Sequence, residues 1–276
     1  MTGQDKLKEY ALKLEKNGRH IFFLDIDGTM VMPLHQGGVS ERLKNAITKG
    51  REKGHLFFVN SGRAIGYMSQ TLLLSAPFDG VISGMGAHIV YHGETIYRSV
   101  LDFETIRKIA DFCEMSGDSI IFEGEPDGRE DGGRYAYGDS GFFEVKYTYK
   151  NKEEFLEAVK GKTMVKMTLP YVPSDQYSKF LDSMFDVAYV TPIYAEGALI
   201  GHDKGKAIKK TCDLLSVPYE NTIAVGDSEN DRGMLTSAGI SCAMGNASEQ
   251  IKNICDIVCD SVKNDGCAAL IEALII

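Results

Sequence analysis

Two carboxylates one residue apart, Asp25 and Asp27 in FLDIDGT (23–29), end an otherwise apolar run that begins at Ile21. A second apolar run, HLFFVNSGR (55–63), ends in Asn60, Ser61, Gly62 and Arg63. A third, TIAVGDSEND (222–231), ends in acids that include Asp227 and Asp231, and Lys204 opens the helical pattern KGKAIKKTCDLL (204–215). In an open parallel sheet, such ends converge at the carboxyl edge, where ligands bind. One acid after a strand is an ordinary turn or cap residue; three polar strand ends and a lysine point to a shared site. Carboxylates gathered at one edge repel, and their pKa values rise. A hard divalent cation removes that conflict. Mg2+ takes oxygen ligands, often one or two carboxylates plus water and phosphate. Asp25 and Asp227 read as its ligands, with the Asp27 backbone carbonyl as a third and the Asp27 side chain left for proton transfer. Gly28 permits a tight turn, and Thr29 is expected to hydrogen-bond the loop. Ser61 and Gly62 offer a hydroxyl and amides ahead of a helical stretch, RAIGYMSQTLLL, which is an anion-binding arrangement. Lys204 adds a compact positive charge. Together these groups describe a phosphate site.

The elements that must position them follow from hydrophobic spacing. Residues 20–60 read strand, helix, strand: Ser40 caps a helix carrying Leu43, Ala46 and Ile47, and Gly54 closes it. Apolar strands joined by helices imply a parallel sheet covered on both faces. Leu7, Tyr10, Ala11 and Leu14 mark a short amphipathic helix over 6–16, expected to pack on the core. Near residue 85 the style changes. HIVYHGETIY (88–97) reads as a hairpin, SIIFE (119–123), FFEVKYTY (142–149), MVKMTL (164–169) and VAYVT (187–191) as strands, with helices between them. This predicts an antiparallel sheet with helices on one face, inserted into the first unit. The expected division is 1–84 plus 192–276 for the core, with 1–18 as a helical extension, and 85–191 for the insertion.

These motifs resemble those of the haloacid dehalogenase superfamily: DxDGT at 25–29, NSGR at 60–63, Lys204 in HDKGKAI, and GDSEND at 226–231. The tail from Met234 to Val258, with AMGNA inside it, is similar to the Cof-type, sugar-phosphatase-like branch. The resemblance implies a Rossmann-like α/β core with an inserted α+β cap that selects substrate. It implies Mg2+-dependent hydrolysis of a small phosphorylated metabolite, with Asp25 as nucleophile forming an aspartyl-phosphate and Asp27 as general acid and base. Mg2+ would be held by Asp25, the Asp27 carbonyl and Asp227. The Ile26 amide, Ser61, Gly62, Lys204 and Asn230 would bind the phosphoryl oxygens. Asp231, Thr29 and Arg63 would support them. Met85 stands where relatives usually carry asparagine, so specificity at that point is open. The glycine- and acid-rich loop 124–141, followed by Phe142, could close over the site or lie solvated.

A sugar phosphomutase of the same superfamily and a non-catalytic phospho-acceptor module are the alternatives. The second is disfavoured by the length of the chain and by Asp27, which is useful only for turnover. A net charge of −9 argues against nucleic acid and anionic membrane as partners. No apolar run reaches membrane-span length and the N-terminus lacks a signal-peptide core, so a cytoplasmic monomer or homodimer is expected. Six cysteines without a CxxC pair read as small buried hydrophobes.

Overall fold

The computed structural model describes residues 3–33, 37–125, 133–141, 143, 145–171, 174–191 and 194–275. The chain begins with α1 (Gly3–Asn17), β1 (Ile21–Leu24), α2 (Glu41–Glu52), β2 (Leu56–Asn60), α3 (Gln70–Leu74), β3 (Gly80–Ser83), β4 (His88–Tyr91) and β5 (Glu94–Arg98). It continues with α4 (Phe103–Ser116), β6 (Ile120–Gly124), β7 (Gly133–Tyr137), β8 (Tyr147–Tyr149), α5 (Lys152–Val159), β9 (Met164–Leu169), α6 (Asp175–Asp182), β10 (Phe185–Thr191) and β11 (Tyr194–Leu199). It closes with α7 (Lys204–Leu215), β12 (Thr222–Gly226), α8 (Arg232–Ser237), β13 (Ile240–Ala243), α9 (Glu249–Lys252), β14 (Ile257–Val258) and α10 (Gly266–Ile275).

The first sheet runs β14-β13-β12-β1-β2-β3-β4-β5. Its first six strands are parallel, and β4 and β5 add an antiparallel edge. The strands are apolar throughout because both faces are covered. Alternate residues split between two cores: Phe22, Leu24, Phe57 and Val59 pack toward α1, α2 and α10. Ile21, Phe23, Leu56 and Phe58 pack toward α7, α8 and α9. Leu14 of α1 is buried, with Leu7 and Tyr10 beside it, so the amphipathic face of that helix lies on the core. Ser40 caps α2 by accepting from the Leu43 amide.

The second sheet runs β10-β11-β9-β6-β7-β8, antiparallel except for the β7–β8 pair, which is parallel. Its apolar face packs under α4, α5 and α6, through Ile106, Phe155 and Tyr177. Its other face carries Glu123, Lys166, Arg134 and Glu196.

Several sequence expectations move. The 88–97 hairpin extends the first sheet rather than starting the second, because β4 pairs with β3 in register from Gly80–Tyr91 to Ser83–His88. Conversely, β11 (Tyr194–Leu199), assigned to the core by position, belongs to the second sheet through β9 and β10. Strand partners are tertiary choices that local alternation does not specify. Part of the expected loop 124–141 is the strand β7; residues 126–132 and Phe142 lie outside the described residues. Among the described residues of 142–149, only Tyr147–Tyr149 is strand.

The helix expected directly after Gly62 is broken. A 3-10 turn spans Ile65–Tyr67, and α3 begins only at Gln70 under a Ser69 cap. Ala64 and Met68 are extended, with ψ of 148° and 132°, and interrupt any continuous helix. No helix among the described residues is long and apolar enough to cross a membrane.

Candidate active site

The site forms at the carboxyl ends of β1, β2 and β12. The Asp25 amide still donates to Val225 O at 3.1 Å, so the sheet ladder fixes this residue rigidly. Its side chain is buried. The chain then turns back: the amides of Met30 and Val31 donate to Ile26 O, and the Gly28 amide to Val31 O at 2.8 Å. Gly28 has a φ of +80°, and a Cβ there would lie 2.2 Å from Asp227 Oδ2. No side chain fits this position. Thr29 departs from expectation: it is buried, and its hydroxyl has no hydrogen-bond partner. Backbone bonds alone close this turn. The Asp27 side chain is a third exposed and accepts from Arg63 Nη2 at 2.6 Å.

Lys204 is the first residue of α7, whose amides at Gly205 and Lys206 donate to the Asp203 cap. Its Nζ is buried and lies 2.6 Å from Asp25 Oδ1, 2.6 Å from Asp231 Oδ1 and 3.3 Å from Asn230 Oδ1. Asp231 is fully engaged, because its Oδ2 also accepts from the amides of Asp227 and Ser228 at 3.0 and 3.1 Å. Asp227 differs. Its Oδ2 accepts from Asn246 Nδ2 at 3.1 Å, while its buried Oδ1 has no partner. Asn246 Nδ2 also reaches Gly28 O at 2.9 Å and so ties the two acidic loops together. The carboxylates of Asp25, Asp227 and Asp231 lie within 4.8 Å of one another.

Burial raises the Asp25 carboxyl to about 7, Asp231 adds to the rise, and Lys204 opposes it. Burial likewise raises Asp227 to about 6, again with Asp231 adding and Lys204 opposing. Burial works against the Lys204 charge, but Asp231 and Asp25 outweigh it and hold the ammonium protonated. One cation thus faces three acids, and one buried carboxylate oxygen is left over. A hard divalent ion fits both the charge deficit and the all-oxygen donor set.

Ser61 continues the ladder from β2, its amide donating to Ile82 O at 2.9 Å. Its hydroxyl oxygen accepts from the Arg63 amide at 3.2 Å, leaving the hydroxyl proton to donate elsewhere. Met85 sits close by in a left-handed conformation with φ of +58°. That geometry suits asparagine better than methionine and costs about 1–2 kcal/mol. Its Cγ would be 3.8 Å from a Cβ at Gly62.

Asp25, Asp27, Ser61, Gly62, Arg63, Lys204, Asp227, Asn230 and Asp231 therefore all gather at one edge of the sheet. Sequence reasoning did not single out Asn246, although AMGNA was in view. Asn60, named in the NSGR run but given no role there, donates from its side-chain amide to Lys204 O at 3.1 Å. Lys166 escaped notice too; its one signal was a lysine inside the fully buried strand MVKMTL. A groove of about 1280 Å3 between α1 and α10 opens beside Gly18 and His55, at the amino ends of β1 and β2, away from this chemistry.

A family model described as haloacid dehalogenase-like hydrolase matches residues 22–271. YkrA of Bacillus subtilis (strain 168) is 24% identical over 254 residues, covering 92% of this chain and 97% of that protein. The phosphoglycolate phosphatase of Methanobrevibacter smithii is 24% identical over 256 residues, covering 92% of this chain and 97% of that enzyme. Among solved structures, the subclass IIB sugar phosphatase BT4131 superposes with a TM-score of 0.73 at 26% identity, covering 93% of this chain and 100% of the other. With the acidic strand ends, the buried lysine and the inserted second sheet in place, the chain belongs to the haloacid dehalogenase-like hydrolases, with an α/β core and a cap.

Proposed function

We propose that this hydrolase is a Mg2+-dependent phosphatase acting on a small phosphorylated metabolite through an aspartyl-phosphate on Asp25. The observation that carries the reading is the Lys204 ammonium shared between Asp25 and Asp231, with the unpartnered Asp227 Oδ1 beside it. Asp25, the Asp27 carbonyl and Asp227 would hold Mg2+, which supplies positive charge against the carboxylates and the phosphoryl oxygens. Asp231 supports rather than ligates, since both its oxygens are occupied.

In this mechanism an Asp25 carboxylate oxygen attacks phosphorus, and the bond from phosphorus to the ester oxygen breaks. Asp27 gives its proton to the departing oxygen. Asp27 then takes a proton from water, which attacks phosphorus and releases inorganic phosphate and Asp25. Lys204, the Ser61 hydroxyl, the Ile26 and Gly62 amides and Asn230 bind the phosphoryl oxygens. Arg63 pairs with Asp27 in the free enzyme; incoming phosphoryl oxygens compete for the same guanidinium, and the released Asp27 takes up a proton from the substrate's phosphate monoanion or from solvent before it faces the leaving group. Sugar phosphates lead the substrate classes, because BT4131, a solved relative of similar architecture, is a sugar phosphatase.

Phosphate release from p-nitrophenyl phosphate tests the reading. Turnover is expected with Mg2+ and none with excess EDTA; EDTA-resistant turnover would sink the metal assignment. Asp27→Asn is expected to slow alkyl phosphates about 10²–10⁴-fold and activated aryl esters much less, since the latter need little protonation. Equal losses across leaving groups would remove Asp27 from the acid role.

The raised carboxyls also set a pH dependence. Asp25 and Asp227 hold protons below about 7 and about 6, and the cation must displace them. Mg2+ is expected to bind about tenfold more weakly at pH 6 than at pH 8, with proton release on binding. Isothermal titration in two buffers of different ionisation enthalpy reads both quantities. A pH-independent affinity would contradict the assignment.

A further inference from the structure

The charged face of the second sheet reaches the core at residues 62–65 and at Ser83. Lys166, on β9, is fully buried. Its Nζ donates to Gly62 O at 3.0 Å and pairs with Glu196 at 2.7 Å and Glu123 at 3.7 Å. Glu123, also fully buried, accepts from Thr168 Oγ1 at 3.0 Å and pairs with Arg134 at 3.2 Å. Glu125 accepts from the Ile65 amide at 3.1 Å and from Ser83 Oγ at 3.0 Å. Two cap side chains thus hold two peptide groups just beyond Ser61, Lys166 the Gly62 carbonyl and Glu125 the Ile65 amide, with Glu123 pairing Lys166 behind them.

Burying such charges is costly, and apolar replacements of buried ion pairs are often neutral or stabilising. Their convergence on residues 62–65 therefore calls for a reason beyond stability. The trans peptide supplies one. Lys166 draws the Gly62 carbonyl toward the cap, so the Arg63 N–H of the same peptide points the other way, into Ser61 Oγ. That bond occupies a lone pair of Ser61 and turns its hydroxyl proton outward to donate. We propose that Lys166, with Glu123 and Glu125, is a positioning cluster through which the seated cap sets the phosphate-binding geometry of Ser61 and Gly62. The cap then does more than select the leaving group: it completes the site for the phosphoryl group itself. This inference rests on the phosphatase reading above.

The test compares wild type with Lys166→Met and with Lys166→Met/Glu196→Gln, which restores charge balance in the buried cluster. Three quantities are measured: inhibition by inorganic phosphate, KM and kcat for p-nitrophenyl phosphate, and Mg2+ affinity. The phosphate inhibition constant and KM are expected to rise about tenfold in both variants, with Mg2+ affinity unchanged, because the metal ligands lie on other strands. A purely structural cluster would lower the melting temperature and leave the inhibition constant of the folded fraction at the wild-type value, which overturns the inference. Should neither variant fold, hydrogen exchange of the wild type decides. Phosphate slowing exchange in 120–125 and 164–168 supports the coupling, and protection confined to the core overturns it. A wild type that hydrolyses no phosphate ester overturns the phosphatase reading and this inference with it. An active wild type with unaltered variants overturns the inference alone.

Discussion

Asp25→Asn is expected to give a folded protein whose turnover of p-nitrophenyl phosphate falls by at least about 10⁴-fold, the scale for losing a covalent nucleophile. The substitution keeps the side-chain shape and an oxygen acceptor for Lys204, so the fold has no reason to fail. Stability moves the other way from activity. Burial raises the Asp25 carboxyl to about 7, well above its ordinary 3.8. The folded state therefore favours the protonated form, and this residue's contribution to stability declines as pH rises through that interval. Removing the charge removes the penalty. Without metal at pH 8, Asp25→Asn should melt at or above the wild-type temperature; added Mg2+ should raise wild type more than the variant. A variant that retains turnover, or that gains as much from Mg2+ as wild type, would refute the nucleophile and ligand roles together.

Lys204→Met should be the most damaging change to stability, and it should cut activity as well. The ammonium is buried and bridges two carboxylates at 2.6 Å each. Taking it away leaves Asp25 and Asp231 facing each other with no cation between them. Breaking a buried ion pair from one side costs about 3–5 kcal/mol. Turnover should fall by at least about 10²–10³-fold, as for loss of one transition-state charge stabiliser. The pH dependence separates this mechanism from a packing defect. Without Lys204 the Asp25 carboxyl loses the interaction that opposes its rise, so it holds its proton to higher pH. The variant's deficit relative to wild type should then shrink as pH falls from 8 toward 5.5, read by urea denaturation without metal. A deficit constant over that range would mean lost packing alone.

The grouping of the candidate residues at one sheet edge was legible in the sequence because its signals are local. An apolar run that stops at Asp25, a glycine three residues later, and acids closing the run at 222–226 need no knowledge of partners. The Ser40 cap of α2 and the amphipathic face of α1 were readable for the same reason. Where local reading failed, the deciding contact was distant. The Thr29 hydroxyl looked useful in the turn, but backbone bonds from Gly28, Met30 and Val31 had already closed it. The helix after Gly62 is interrupted where Ala64 is extended and the Ile65 amide turns to Glu125 of the cap.

By itself, then, the sequence determined which groups could react and which strands would carry them, since residue type and two-residue spacing set both. Tertiary structure decided the rest: that the 88–97 hairpin joins the large sheet, that Asn246 crosses 218 positions to tie Gly28 to Asp227, and that Lys166 crosses 104 to reach Gly62. Those pairings depend on which surfaces meet when two cores pack, and no periodicity within either segment encodes them.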